Sequence, residues 1–139
     1  MHRAIEPAIH YWGTPVVLVS SLNPDGTTNL APMSSAWWLG WSCMLGLGAG
    51  SATARNLRAD GRCVLNLPSE DLAPVVNRLA LTTGRADLPP HKRAMGYRHE
   101  ADKFACAGLS RAAGPTPHHP QGIAECPVRL EGVVTDLRP

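Results

Sequence analysis

Val16-Val17-Leu18-Val19-Ser20-Ser21-Leu22 is a short, β-branched, apolar run that stops at Asn23-Pro24-Asp25-Gly26. The pattern predicts a strand, a tight turn and hence a β-hairpin. The return strand, Thr27 to Leu30, meets Pro32, which has no N–H for a ladder and so marks a bulge, an edge or a bend. Residues 36–41 and 43–48 read as further strand material. Gly48-Ala49-Gly50-Ser51 then breaks the pattern, and Ala52 to Asp60 has helical composition, opened by a hydroxyl residue and followed by Gly61. Arg62 to Leu67 is another strand, ended by Pro68. Behind Ser69, Leu72, Val75, Val76 and Leu79 repeat at helical spacing, with Glu70 and Asp71 in the first turn, so a second helix capped by Ser69 is predicted.

From Thr82 to Gln121 proline, glycine and histidine are frequent, which predicts an excursion over the surface with at most a short helix near His91 to Tyr97. Ile123 to Leu137 returns to strand patterning. Several short strands, an early hairpin and two clear helices predict a mainly β fold with helical additions, a β-barrel and not an alternating βαβ sheet. At 139 residues, one domain with one core is expected.

Charge changes this picture little. The formal net charge of +2 arises from scattered residues with no basic run, which argues against a nucleic-acid groove. No stretch approaches the roughly 20 apolar residues of a membrane helix, and the first residues lack the apolar core of a signal peptide, so a cytoplasmic protein is expected. Cys43, Cys63, Cys106 and Cys126 form no Cys-x-x-Cys pair and read as buried, inert thiols. His118 and His119 have no partner at metal-site spacing, and no metal is expected.

Candidate chemistry concentrates between Asn29 and Asn56. Gly46-Leu47-Gly48-Ala49-Gly50-Ser51-Ala52-Thr53 leads straight into the first helix. Glycines let a ligand approach the backbone, and a helix start offers unpaired N–H donors with partial positive charge, a combination suited to a phosphate. Ser51 and Thr53 add hydroxyls, and Arg55 and Asn56 are placed to reach across the first turn. The plainer reading is that Ser51 caps a helix and the glycines turn the chain. A dinucleotide fingerprint fits poorly, because its third glycine falls on Ser51 and a hairpin stands where a βαβ unit should begin. A P-loop fails because no Gly-Lys-Ser/Thr follows.

Trp37, Trp38 and Trp41 are three of only seven aromatic residues. On a strand Trp37 and Trp41 face one way and Trp38 the other, so Trp38 is expected inside, with the others at a ligand edge or a subunit contact.

With these residues in view, the chain resembles the flavin-reductase-like, FMN-binding split-barrel family. The resemblance rests on the order of elements: a strand pair joined by an Asp-Gly turn, the Ala31-Pro32-Met33-Ser34-Ser35 stretch, an apolar strand ending in glycine, the Ser51-x-Thr53 helix start, and the strand Val64-Leu65-Asn66-Leu67. It covers Thr14 to Asn66 well and Ile123 to Glu131 more loosely. It implies FMN or FAD as cofactor, NAD(P)H as co-substrate and a homodimer. Pro32, Met33, Ser34 and Ser35 would run along the isoalloxazine and ribityl chain, Leu47 and Gly48 would offer backbone contacts, and Ser51, Thr53 and Asn56 would hold the phosphate. An NAD(P)H-dependent flavin oxidoreductase is the activity implied; a non-enzymatic FMN carrier or electron-transfer protein is the alternative. An interaction module using the tryptophan patch is a third reading. No catalytic acid or base is required, since hydride passes between the two cofactors. His10, Tyr11 and Trp12 stand before the first strand as flavin contacts or packing residues. Family members commonly continue past the strand matching Val128 to Glu131 into another strand and a terminal helix, so residues 1–139 are expected to be one domain that either lacks those elements or completes its barrel differently, as through a partner.

Overall fold

The computed structural model describes residues 3–6 and 13–138. His10, Tyr11 and Trp12 lie outside the described residues. Strand β1 (Val17–Leu22) and strand β2 (Thr28–Met33) form the expected hairpin, with Val17 opposite Met33 and Leu22 opposite Thr28. Its turn is fastened by Asp25 Oδ1, which accepts from the backbone N–H of Thr27 at 3.0 Å. Pro32 sits within β2, which is tolerated because β2 is an edge of the four-stranded sheet. Strand β3 (Ala36–Leu39) and strand β4 (Ser42–Leu45) make a separate hairpin, so Gly40 and Trp41 turn the chain instead of continuing a strand. Helix α1 (Ala52–Ala59) follows, then strand β5 (Arg62–Leu67).

Helix α2 (Ala73–Ala80) begins later than its apolar spacing suggests. A 3-10 turn over Glu70–Leu72 precedes it, and Ser69 makes no side-chain cap bond. Pro74 explains the restart: it has no N–H to donate and belongs in a first helical turn. Beyond α2 lie strand β6 (Thr82–Thr83), helix α3 (Pro90–Ala94), strand β7 (Arg98–His99), helix α4 (Lys103–Ala107), strand β8 (Arg111–Ala112), strand β9 (Gly122–Ile123) and strand β10 (Val128–Val133).

The main sheet is antiparallel with the order β10, β5, β1, β2. Among the described residues the strands do not close into one barrel: the main sheet has four strands, and the others pair in two-stranded sheets. The fold is mainly β with short helices.

The two faces of the sheet bury separate cores. On one, Leu18 and Leu30 meet Val75 and Leu79 of α2, Phe104 and Ala107 of α4, and Ile123. On the other, Val17, Val19 and Leu65 meet Leu57 of α1, Ala36 and the partly buried Trp38. The stretch after α2 is therefore no mere surface excursion, since Phe104 is fully buried and the Arg111 guanidinium lies 4.6 Å from its ring centroid. Asn66 locks the layers together: its amide donates to Leu18 O and Ser20 Oγ while its Oδ1 accepts from Ile123 N–H at 2.8 Å.

Candidate functional site

Ser51 begins the site as a helix cap. Its extended backbone and a 3.1 Å bond from Ala54 N–H to its Oγ start α1 and fix the direction of the first turn. The N–H groups of Ala52 and Thr53 have no intrahelical acceptor, as in any first turn. The loop before the helix is held by arginines: Arg58 donates to Ala49 O at 2.8 Å and Arg85 to Gly50 O at 2.9 Å.

A cleft of about 90 Å³ opens at this point, between the end of β2, the start of α1 and the segment after α2. That is roughly the space of three water molecules, the scale of one small polar group and not of a fused ring. Its polar lining includes Asn29, Ser51, Thr53, Thr83, Lys92 and Lys103, with Thr82 and Tyr97 beside them, and no carboxylate contributes to it. Asn29 and Thr53 are both nearly inaccessible, and Asn29 Nδ2 donates to Thr53 Oγ1 at 3.2 Å. Gly84 closes one wall. A Cβ there would stand 2.5 Å from Asn29 Oδ1 and 3.2 Å from the Ala52 Cβ, so the chain needs glycine for this approach.

Lys103 is the unusual member. It is 3% exposed, and its Nζ donates to Leu30 O at 2.6 Å. Burial, reinforced by the charge of Lys92, brings its pKa down from 10.5 to about 8.

The expected site residues divide into three groups. Pro32, Met33, Ser51 and Thr53 line the cleft together. Ser34, Ser35, Leu47 and Gly48 lie beyond it, where Gly46 brings the two stretches into contact: its N–H donates to Ser35 O at 2.7 Å, and a Cβ on it would reach within 2.9 Å of the Ser35 Cβ. Asn56 requires a correction. Its side-chain amide donates to Ser21 Oγ at 3.1 Å and Asn23 Oδ1 at 2.9 Å, which uses both protons and leaves no donor for an anion; it ties α1 to β1 instead. Arg55 points to Asp87 at 3.9 Å and is half exposed.

Sequence reasoning missed Lys103, Lys92, Thr83 and Asn29. The only local hint at Lys103 was Asp102, whose carboxylate caps α4 through Ala105 N–H at 3.1 Å. The thiol expectation holds for Cys63 and Cys126, buried and raised to about 11 chiefly by that burial, whereas Cys43 and Cys106 are only half buried. Among the described residues no cluster of three metal-ligating side chains occurs. No helix among them is long and apolar enough to cross a membrane.

Trp38 packs inward against the second core, while Trp37, Leu39 and Met44 form an exposed apolar face on the β3–β4 hairpin, with Trp41 fully exposed at its turn.

An antiparallel sheet with a helix on each face and a cleft at a helix start places the chain among mainly β proteins with short helices. The chain itself belongs to the flavin reductase like domain family, whose profile matches residues 9–139. It is 40% identical over 136 residues to the uncharacterized protein YdfE of Bacillus subtilis (strain 168), covering 98% of this chain but only 65% of that protein's length. Its fold is similar to that of flavoredoxin of Desulfovibrio vulgaris (Miyazaki F), with a TM-score of 0.78 at 18% identity over 99% of this chain and 69% of that one. It is also similar to an FMN-binding domain of a flavin reductases-like enzyme from Shewanella baltica OS155, with a TM-score of 0.67 at 17% identity over 88% of this chain and 58% of that one.

Proposed function

We propose that this protein binds FMN, with the phosphate in the cleft at the start of α1, and that it serves as an NAD(P)H-dependent flavin oxidoreductase. One observation carries the reading: the cleft is phosphate-sized, and hydroxyl, amide and ammonium groups line it with no carboxylate to repel an anion. Ser51 Oγ already accepts from Ala54 N–H, so its own proton is available to a phosphate oxygen. Thr53 is in the same position, since Oγ1 accepts from Asn29 and keeps its proton. The first-turn N–H groups of α1 add donors and a favourable dipole.

From the cleft the ligand would run past Pro32 and Met33 towards Ser34, Ser35, Leu47 and Gly48, where hydroxyl and backbone donors would meet the ring edge. Such donors stabilise negative charge that develops when a flavin is reduced. The bound flavin supplies the hydride chemistry, and this chain supplies position, hydrogen bonds and exclusion of water. The ring itself exceeds the cleft, so a second surface must cover it. The exposed Trp37, Leu39 and Met44 face supports a homodimer as that cover.

Anaerobic mixing of the FMN-loaded protein with NADPH and with NADH tests the activity. Rapid bleaching of the flavin absorbance with either is expected. Flavin that stays oxidised with both would leave an FMN carrier, the second reading.

A further inference from the structure

Residues 90–99 hold His91, Lys92, Arg93, Arg98 and His99 and not one Asp or Glu. The carboxylates that flank this segment are already engaged. Asp87 pairs with Arg85, Asp102 pairs with Arg111 at 2.7 Å, and Glu100 Oε1 accepts from the Asp102 N–H at 3.2 Å. Among the described residues Arg93 is exposed and has no carboxylate within ion-pair distance.

Helix α3 turns its charge to two sides. Lys92 leans to the cleft already described, its Nζ 4.8 Å from the centroid of the Tyr97 ring, and both residues line that cleft. Pro90, Arg93 and Ala94 stand three and four positions apart, share another face of the helix and line a separate open groove of about 390 Å³. That volume falls in the range of roughly 300–1,000 Å³ typical of small-molecule sites.

The groove combines two kinds of surface. The Pro90 ring and the Ala94 methyl are apolar, and the guanidinium beside them can stack on a planar base and grip a phosphate through two parallel N–H donors. An adenosine with a phosphate on its ribose presents a base and a phosphate side by side. An arginine without a counter-ion is suited to telling it from the same nucleoside with a free hydroxyl. With its side chains α3 is about 10–12 Å across, a width that an extended dinucleotide spans between its two ends. One end can rest in the groove while the other reaches the side where Lys92 and Tyr97 stand.

We propose that the Pro90, Arg93 and Ala94 face of α3 is a nucleotide site that takes the 2′-phosphorylated adenosine end of NADPH and gives NADPH the advantage over NADH. The use of NADPH as co-substrate rests on the function proposed above. Binding of a 2′-phosphorylated adenosine does not rest on it, and the two are tested apart.

Calorimetry measures binding of adenosine 2′,5′-bisphosphate and of adenosine 5′-monophosphate to wild type, Arg93→Gln, Arg93→Lys and Arg98→Gln at low salt, with neither flavin nor turnover. Arg98 serves as control, an exposed arginine of the same segment that lines neither opening and donates to Cys106 Sγ at 3.5 Å. Wild type should bind the bisphosphate about tenfold more tightly than the monophosphate, the scale of one charge-assisted phosphate contact. Arg93→Gln should abolish that preference at an unchanged melting temperature, Arg93→Lys should restore part of it, and Arg98→Gln should keep most of it. In the FMN-loaded protein Arg93→Gln should raise KM for NADPH about tenfold, while KM for NADH and both kcat values stay within about twofold. Equal binding of the two nucleotides by wild type, a preference that survives in Arg93→Gln, or an equal loss in Arg98→Gln, the mark of a diffuse positive field, would overturn the site. An unaltered KM for NADPH in Arg93→Gln would overturn its assignment to NADPH. Protein that binds no flavin, or whose flavin NADPH leaves oxidised, ends the function proposed above, and the bisphosphate result then decides the groove alone.

Discussion

Asn29 and Thr53 meet through a single buried hydrogen bond of 3.2 Å, from the Asn29 amide to the Thr53 hydroxyl oxygen, across 24 residues of chain. It joins the start of β2 to the first turn of α1, and it turns the Thr53 proton away from Asn29. Replacing Thr53 with Val should therefore do two things. Loss of the bond leaves a buried amide unpaired at a cost of about 1–3 kcal/mol in denaturant unfolding, and FMN binding should weaken while riboflavin binding stays close to wild type.

Ser51 caps α1 through its oxygen, and its proton is the one proposed to meet the phosphate. Ser51→Ala removes the acceptor for Ala54 N–H and should cost about 1 kcal/mol of stability, whereas Ser51→Gly should cost only a few tenths. Both lose the hydroxyl, so both should weaken FMN. Chemical denaturation together with FMN titration separates the two contributions.

How much of this was legible beforehand depends on range. The β1–β2 hairpin and the Ser51 cap were readable because turn residues and cap residues act within four positions of chain, where sequence pattern and physics coincide. Lys103 was not, because its burial depends on α4 packing against β2 and its partner Leu30 lies 73 residues away. Asn56 misled for the same reason, since its partners on β1 and the following turn are 35 and 33 residues distant. Residues 82–121 looked like surface because proline, glycine and histidine are frequent in them, yet Phe104, the chain's single phenylalanine, anchors them to the core.

Two glycines give opposite expectations. Gly84→Ala must displace Asn29 and crowd Ala52, which should cost roughly 1–3 kcal/mol and narrow the cleft, lowering FMN affinity. Gly48→Ala meets nothing within 4 Å and should stay within about 0.5 kcal/mol of wild type. Thermal melts of the pair, run side by side, check the comparison.

Lys103 also predicts a pH dependence. Its folded pKa, about 8, lies below the ordinary 10.5, so between these values the unfolded chain holds more protons and the lysine's contribution to stability rises with pH. The gain is complete above 10.5 and absent below about 8. Cys63 and Cys126 oppose it, because their raised thiols make a contribution that is full below 9 and lost as pH climbs through about 11. The difference between wild type and Lys103→Met cancels the thiols. Relative to Lys103→Met, wild type should gain on the order of 3 kcal/mol in unfolding free energy between pH 7.5 and 10.5. A flat difference would place the ammonium in contact with water.

The apolar face of the β3–β4 hairpin predicts self-association. Trp37→Ser combined with Met44→Ser, on side chains directly opposite each other, should shift sedimentation from dimer to monomer and leave the melting temperature of the monomeric fold nearly unchanged. A wild type that sediments as a monomer would remove the homodimer.

Parallel titration of the purified wild-type protein with FMN and with riboflavin bears most directly on the account. Tight FMN binding with riboflavin at least tenfold weaker is the predicted result, because only FMN carries the phosphate proposed for the cleft at the start of α1. Equal affinities, or no binding of either, would contradict it.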